Sequence, residues 1–193
     1  MDPNLADRFP LIFDYALTSL TPNDRIIAGD SGAGYINPTG LLPPRKPSGL
    51  PSAKRAWQDH CTPLYTRFDI NFTGFLINGD DGPLSAEAEQ MYLPFSSGGI
   101  VLDRGQNHMV GEMPAFVHNS DLPGGDATAA AQLILGAAKT YGPLSFSVWR
   151  TVLKTPSYHA DVVAQVQAAQ PQLEVVEPLV LGALQRIARD HGG

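Results

Sequence analysis

The residues best suited to chemistry in this 193-residue sequence sit close together in GDSGAGYINP, residues 29–38. Asp30 offers a carboxylate, Ser31 a hydroxyl, Tyr35 an aromatic face with a phenol and Asn37 an amide. Gly32 and Gly34 permit positive φ and close backbone approach, and Pro38 stiffens the exit. An aromatic ring beside hydrogen-bonding groups suits a sugar, whose apolar ring face stacks while its hydroxyls bond. A tight turn carrying a packed tyrosine fits the same spacing. A Gly-Asp-Ser block also surrounds some hydrolase nucleophiles, which need an adjacent base held by a third group. Asp190 and His191 lie at the wrong end of their element and no D-x-x-H occurs, so a Ser31-based esterase ranks behind. A dinucleotide fingerprint would lead straight into a helix, whereas this segment leads into proline-rich loop.

Further polar residues fall where strands should end: Asp80 and Asp81, Asp103 and Arg104, His118 and Asp121, Trp149 and Arg150, and Glu177. Asp30, Asp80, Asp81 and Asp103 are the candidate catalytic carboxylates. Glycosidic cleavage requires two such groups, about 5–5.5 Å apart for retention and about 6.5–9.5 Å for inversion. Ser31, Gly32, Gly34, Tyr35, Asn37, Arg104, His118, Asp121, Trp149, Arg150 and Glu177 are the candidate substrate-binding residues. Each has a plainer reading. Asp30 can close an Asx turn, Asp80 and Asp81 sit in an Asn-Gly-Asp-Asp-Gly turn or could hold a divalent cation, and Asp103–Arg104 can be a surface pair. Trp149 fits a core as well as a sugar platform. His108, His118 and Asp121 match no zinc spacing; no metal and no cofactor are expected. His60, His159 and His191 fall in or beside helices and receive no role.

The elements that must carry these residues alternate between helical and extended periodicity. A helix is expected from near Pro10, closed by Thr21 and Pro22, with Leu5, Phe9, Ile12, Phe13, Ala16, Leu17 and Leu20 along one stripe. A short strand over 26–28 opens into the glycine-rich segment, and 36–51 reads as irregular. Ser52 can cap a helix that buries Trp57, Cys61, Leu64 and Tyr65, with Pro63 kinking or ending it. Strands follow over 72–77, 99–102, 115–117, 144–149 and 173–176. Between them fall a short helix after Ser85, a helix capped by Asp126, a helix over 157–169 and a last helix carrying Leu181, Leu184, Ile187 and Ala188. The expected fold is α/β: a mostly parallel sheet with alternating helices in one domain over 1–193. About six strands fall short of the eight of a closed barrel, so the arrangement is barrel-like and incomplete.

Composition excludes several classes. Nineteen acidic against 13 basic residues give a net charge of −6, which argues against nucleic acid. Hydrophobic residues at 43% support a core. No apolar run approaches the roughly 18 residues of a membrane span, so no membrane partner is expected. The single cysteine, Cys61, allows no internal disulfide and reads as core. Nineteen glycines and 17 prolines predict long loops, which in compact domains often carry function. No secretory signal pattern opens the sequence.

The run Thr21, Pro22, Asn23, Asp24, through Ile26, Ile27, Ala28 and Gly29, into Ser31, Gly32, Ala33, Gly34, Tyr35, Ile36, Asn37 and Pro38, resembles the GxGYxYP family of putative glycoside hydrolases. Gly32, Gly34, Tyr35 and Pro38 match the signature, and Asn37 stands where its second tyrosine is expected. Leu173, Glu174, Val175, Val176, Glu177 and Pro178, followed by an amphipathic helix, are similar to the close of that domain. The resemblance implies an oligo- or polysaccharide substrate, a carbohydrate partner and acid/base hydrolysis, or else a non-catalytic carbohydrate-binding or degenerate fragment of such an enzyme. It also implies that the chain corresponds to a C-terminal part, preceded in the parent protein by an N-terminal portion. An extracellular location is compatible with such a portion.

Overall fold

The computed structural model describes residues 1–22, 24–45, 47–77, 84–140 and 145–191. The chain divides into two compact units, Met1–Val117 and His118–Gly193.

In the first unit α1 (Pro10–Thr18) begins at its proline, where a missing N–H costs nothing. Of its apolar residues Phe13 is buried, against Phe68 at 5.1 Å between ring centroids, while Leu11, Ile12 and Tyr15 are exposed. The long stripe expected here is therefore not the buried face. Helix α2 (Lys54–Arg67) buries Trp57, Cys61 and Tyr65 at helical spacing, as their positions require. Pro63 lies inside it without ending it. Both Pro63 and Asp59, whose carbonyl loses its partner, are exposed, so water can serve the freed oxygen. Ala53, rather than Ser52, occupies the N-cap, although the Ser52 hydroxyl accepts from the Lys54 N–H.

Strand β1 (Phe72–Leu76) is followed by α3 (Ala86–Gln90), capped by Ser85, and then by β2 (Gly99–Leu102). Strand β3 (His108–Val110), which the sequence did not suggest, folds back antiparallel on β4 (Met113–Asp121). β1 pairs β2 and β2 pairs β4, both in parallel, with Thr73 opposite Ile100 and Ile100 opposite Ala115. The strand expected over 26–28 reduces to one parallel bridge, Ala28 to Thr73, because the backbone turns into a left-handed conformation at Asp30. Ile100, Leu102, Met113 and Ala115 face the core with the α2 residues and with Met91, Tyr92 and Phe95.

In the second unit the closing residues of β4, His118–Asp121, pair in parallel with β5 (Val148–Arg150). Pairing with β5 makes these four polar residues strand, not the loop expected from their composition. Helix α4 (Ala127–Ala138), capped by Asp126, packs on α5 (Pro156–Ala169) through Ala130, Ala131, Val162 and Val166. The fifth expected strand starts at Val148, not at 144; Leu144 itself lies outside the described residues. Residues 173–176 form no strand: Leu173 packs on the α4–α5 cluster and Glu177 caps α6 (Pro178–Asp190). Helix α6 buries Gly182 and Gln185, while Leu184 and Ile187 of the expected apolar face stay exposed.

The fold class is thus α/β, a mostly parallel sheet with alternating helices. Among the described residues no helix is long and apolar enough to cross a membrane.

Candidate functional site

The parallel bridge at Ala28 feeds the GDSGAGYINP segment onto the carboxyl side of β1, where α/β sheets collect their ligand loops. Asp30 and Ser31 have φ of +40° and +68°. Non-glycine residues in this region cost on the order of 1–3 kcal/mol each and persist only when their surroundings enforce them.

Those surroundings are explicit. Ser31 is fully buried and each of its polar atoms is used. Its N–H donates to the Phe75 carbonyl at 2.5 Å. Its hydroxyl donates to the Ile36 carbonyl at 2.6 Å and accepts from the Ile77 N–H at 3.0 Å. Its carbonyl accepts from the Tyr92 hydroxyl at 2.7 Å. Beneath the turn a buried chain of hydroxyls joins Tyr65 to Thr73 (2.7 Å), Thr73 to Ser96 (2.8 Å) and Ser96 to the Gly99 carbonyl (2.9 Å). Burial holds both tyrosine hydroxyls well above their usual pKa, so they remain neutral.

Gly32, with φ of +115°, lies directly on this chain: a Cβ there would stand 2.9 Å from the Tyr65 hydroxyl and 3.4 Å from the Trp57 ring. The His60 ring donates from Nε2 to the Ala33 carbonyl at 3.1 Å. Burial pushes the Cys61 thiol up to about 12, against a smaller opposing effect of its bond to the Ala33 backbone. The glycine turn is therefore clamped between α2 and β1, and the clamp leaves Asp30 exposed and Tyr35 73% exposed. Gly34, at φ +138°, directs the chain outward to that tyrosine.

The remaining candidates separate by location. Asn37 turns inward, its Oδ1 accepting from the Thr39 N–H at 2.9 Å to cap the short 3-10 turn Pro38–Leu41. Asp103 and Arg104 follow β2, with Arg104 Nε 3.7 Å from the Asp103 carboxylate. Ala28, Thr73 and Ile100 lie in one register, so Asp30 and Asp103 leave the same edge of the sheet two strand spacings apart, roughly 10 Å from backbone to backbone. Asp80 and Asp81 lie outside the described residues.

In the second unit Asp121 and Arg150 form a fork across β4 and β5, at 2.6 and 2.7 Å. The Arg150 hydrogen bond holds the Asp121 carboxyl below its ordinary range, against a weaker desolvation effect. His118 is half-buried on the same strand. Trp149 is half-buried and donates from Nε1 to the Ser147 hydroxyl at 3.1 Å. Glu177 accepts from the N–H groups of Leu179 and Val180, as an N-cap does.

No histidine bonds Ser31 among the described residues, and its buried hydroxyl is committed to backbone partners. That geometry removes the Ser31-based esterase reading. Among the described residues no cluster of three or more histidine, cysteine, aspartate or glutamate side chains is placed to hold a metal. Sequence reasoning missed Tyr92, Thr73 and Ser96, because a buried hydroxyl chain shows no periodicity. It missed the role of His60 as well, although His60 follows Trp57 and precedes Cys61 on one helix face.

The family model of the GxGYxYP putative glycoside hydrolase C-terminal domain matches residues 1–186, and so includes the clamped turn and both units. The chain belongs to that family. No curated protein and no solved structure matches it.

Proposed function

We propose that this protein is a glycoside hydrolase domain acting on an oligo- or polysaccharide, with Asp30 and Asp103 as its carboxylate pair and Tyr35 as a sugar platform. The observation that carries the reading is the strained, internally clamped turn that keeps Asp30 and Tyr35 exposed at the carboxyl edge of a parallel sheet. Backbone strain maintained at a surface turn by a buried network is a mark of functional preorganisation. The backbones at Asp30 and Asp103 leave the sheet two strand spacings apart, roughly 10 Å, so both carboxylates can lie on one sheet edge, as a glycosidase pair must. Asp80 and Asp81, which follow the intervening strand β1 in sequence, are the competing candidates for the second carboxylate.

The test is release of reducing ends from a glycan panel by the full chain and by Asp30→Asn, Asp80→Asn, Asp81→Asn and Asp103→Asn. Loss of a general acid or base lowers the rate by about 10²–10⁴, so Asp30→Asn and one partner variant should fall by that factor. Cleavage unchanged in Asp30→Asn overturns the assignment. The exposure of Tyr35 favours a second reading, carbohydrate binding without cleavage. It predicts glycan binding that Tyr35→Ala abolishes, with no products formed.

A further inference from the structure

The loop between β5 and α5 holds a second group of reactive side chains. The Thr151 hydroxyl lies 2.6 Å from His159 Nε2, and His159 Nδ1 lies 2.9 Å from the Thr155 carbonyl. A carbonyl can only accept, so Nδ1 carries the proton and Nε2 of the neutral ring presents its lone pair to the hydroxyl. The other histidines with described ring bonds differ. His60 uses Nε2 as a donor to the Ala33 carbonyl, and His108 faces acceptors with both nitrogens, the Gln106 carbonyl and the Glu89 carboxylate. His159 is thus the one among them whose basic nitrogen is aimed at a hydroxyl.

The loop is also strained and fixed. Leu153 has φ of +53°, a conformation its side chain resists, and is 97% exposed beside the exposed Val152. The Lys154 ammonium donates to the Gly124 carbonyl, and the Tyr158 hydroxyl donates to the Pro123 carbonyl at 2.5 Å. These bonds tie the loop to the segment that follows β4, so the strain is held at the carboxyl end of the β4–β5 pair.

We propose that Thr151 and His159 form a nucleophile–base pair that takes the acyl group of a short-chain carboxylic ester, with Val152 and Leu153 as the apolar contact for the acyl chain. Hydroxyl within hydrogen-bond reach of a base, and base oriented by a third group, is the arrangement that activates a weak oxygen nucleophile. As Thr151 Oγ1 bonds to the ester carbonyl carbon, His159 Nε2 takes its proton. The carbon–oxygen bond to the alcohol then breaks, and the same proton leaves on the alcohol oxygen. Water, deprotonated by the same Nε2, cleaves the acyl-threonine to the carboxylic acid and restores the hydroxyl. No oxidant, reductant or metal enters this balance. The inference stands apart from the glycosidase reading, since it uses none of the same residues.

The test is incubation of the full chain with p-nitrophenyl acetate, following nitrophenolate release and locating the acetyl group by peptide mass spectrometry. The expected result is acetylation at Thr151. It should be abolished in Thr151→Val, retained in Thr151→Ser and slowed by about 100-fold or more in His159→Gln. Circular dichroism of each variant separates a chemical loss from unfolding. Absence of the adduct in the folded wild-type chain, acetylation confined to other residues, or an unchanged rate in His159→Gln overturns the proposal.

Discussion

Removing the Tyr92 hydroxyl tests whether the glycine turn is held from below. In Tyr92→Phe the Ser31 carbonyl loses a 2.7 Å donor at a place where both residues are 0% exposed. No solvent reaches the orphaned oxygen, so the cost is that of an unsatisfied buried acceptor, about 1–3 kcal/mol. Tyr65→Phe is the internal comparison. It removes a hydroxyl of similar burial, but Thr73 and Ser96 remain bonded to each other, and the net loss should stay near 1 kcal/mol. Urea unfolding gives both numbers. Emission from Trp57, whose ring lies under Gly32, reports the turn itself when Trp149 is replaced by phenylalanine. Because Tyr92 and the Ser31 hydroxyl fix the same turn, Tyr92→Phe and Ser31→Ala should be non-additive by about 0.5–3 kcal/mol. Strict additivity, or a Tyr92→Phe cost below that of Tyr65→Phe with unchanged Trp57 emission, would refute the clamp.

Gly32→Ala should destabilise the chain by more than about 1 kcal/mol in the same unfolding assay, because φ is +115° and the new Cβ meets the Tyr65 hydroxyl at 2.9 Å. The Glu89–His108 pair at 2.8 Å makes stability pH-dependent. Desolvation pulls the His108 pKa down, but the Gln106 carbonyl and the Glu89 carboxylate outweigh it and the net shift is upward. A raised folded-state pKa means that the contribution is complete below the unfolded value of about 6.5 and lost as pH rises through the higher folded value. Urea midpoints taken across that window should fall with pH in the wild type and lose this component in His108→Gln. With its thiol at about 12 and fully buried, Cys61 should resist a thiol reagent at pH 8 until urea unfolds the first unit; prompt labelling of the native chain would contradict the packing.

Much of this molecule was legible in one dimension because the signals were local. Periodicity marked the buried face of α2 at Trp57, Cys61 and Tyr65, and side-chain capping marked the starts of α3 and α4 at Ser85 and Asp126. Alternating helices and short apolar runs predicted a parallel α/β fold, and the GxGY residues predicted the family. Other features depended on partners distant in sequence. The residues 118–121 look like loop by composition and become strand because β5 pairs with them. Glu177 was a candidate at a strand end, yet residues 173–176 form no strand, and its carboxylate caps α6.

The sequence by itself determined that residues 29–38 form a glycine-shaped turn, since glycine, aspartate and tyrosine at that spacing can form an exposed turn wherever the chain places them. Tertiary structure decided which of its side chains are buried and which are exposed. Ser31, the obvious nucleophile by type, is sealed off by bonds to residues five, 44 and 46 positions away, at Ile36, Phe75 and Ile77. Asp30 and Tyr35 stay exposed because Tyr92, 61 positions from Ser31, anchors the turn between them. Hydrogen bonds of that range carry no sequence period, so only the folded chain could separate the buried anchor from the exposed side chains of the turn.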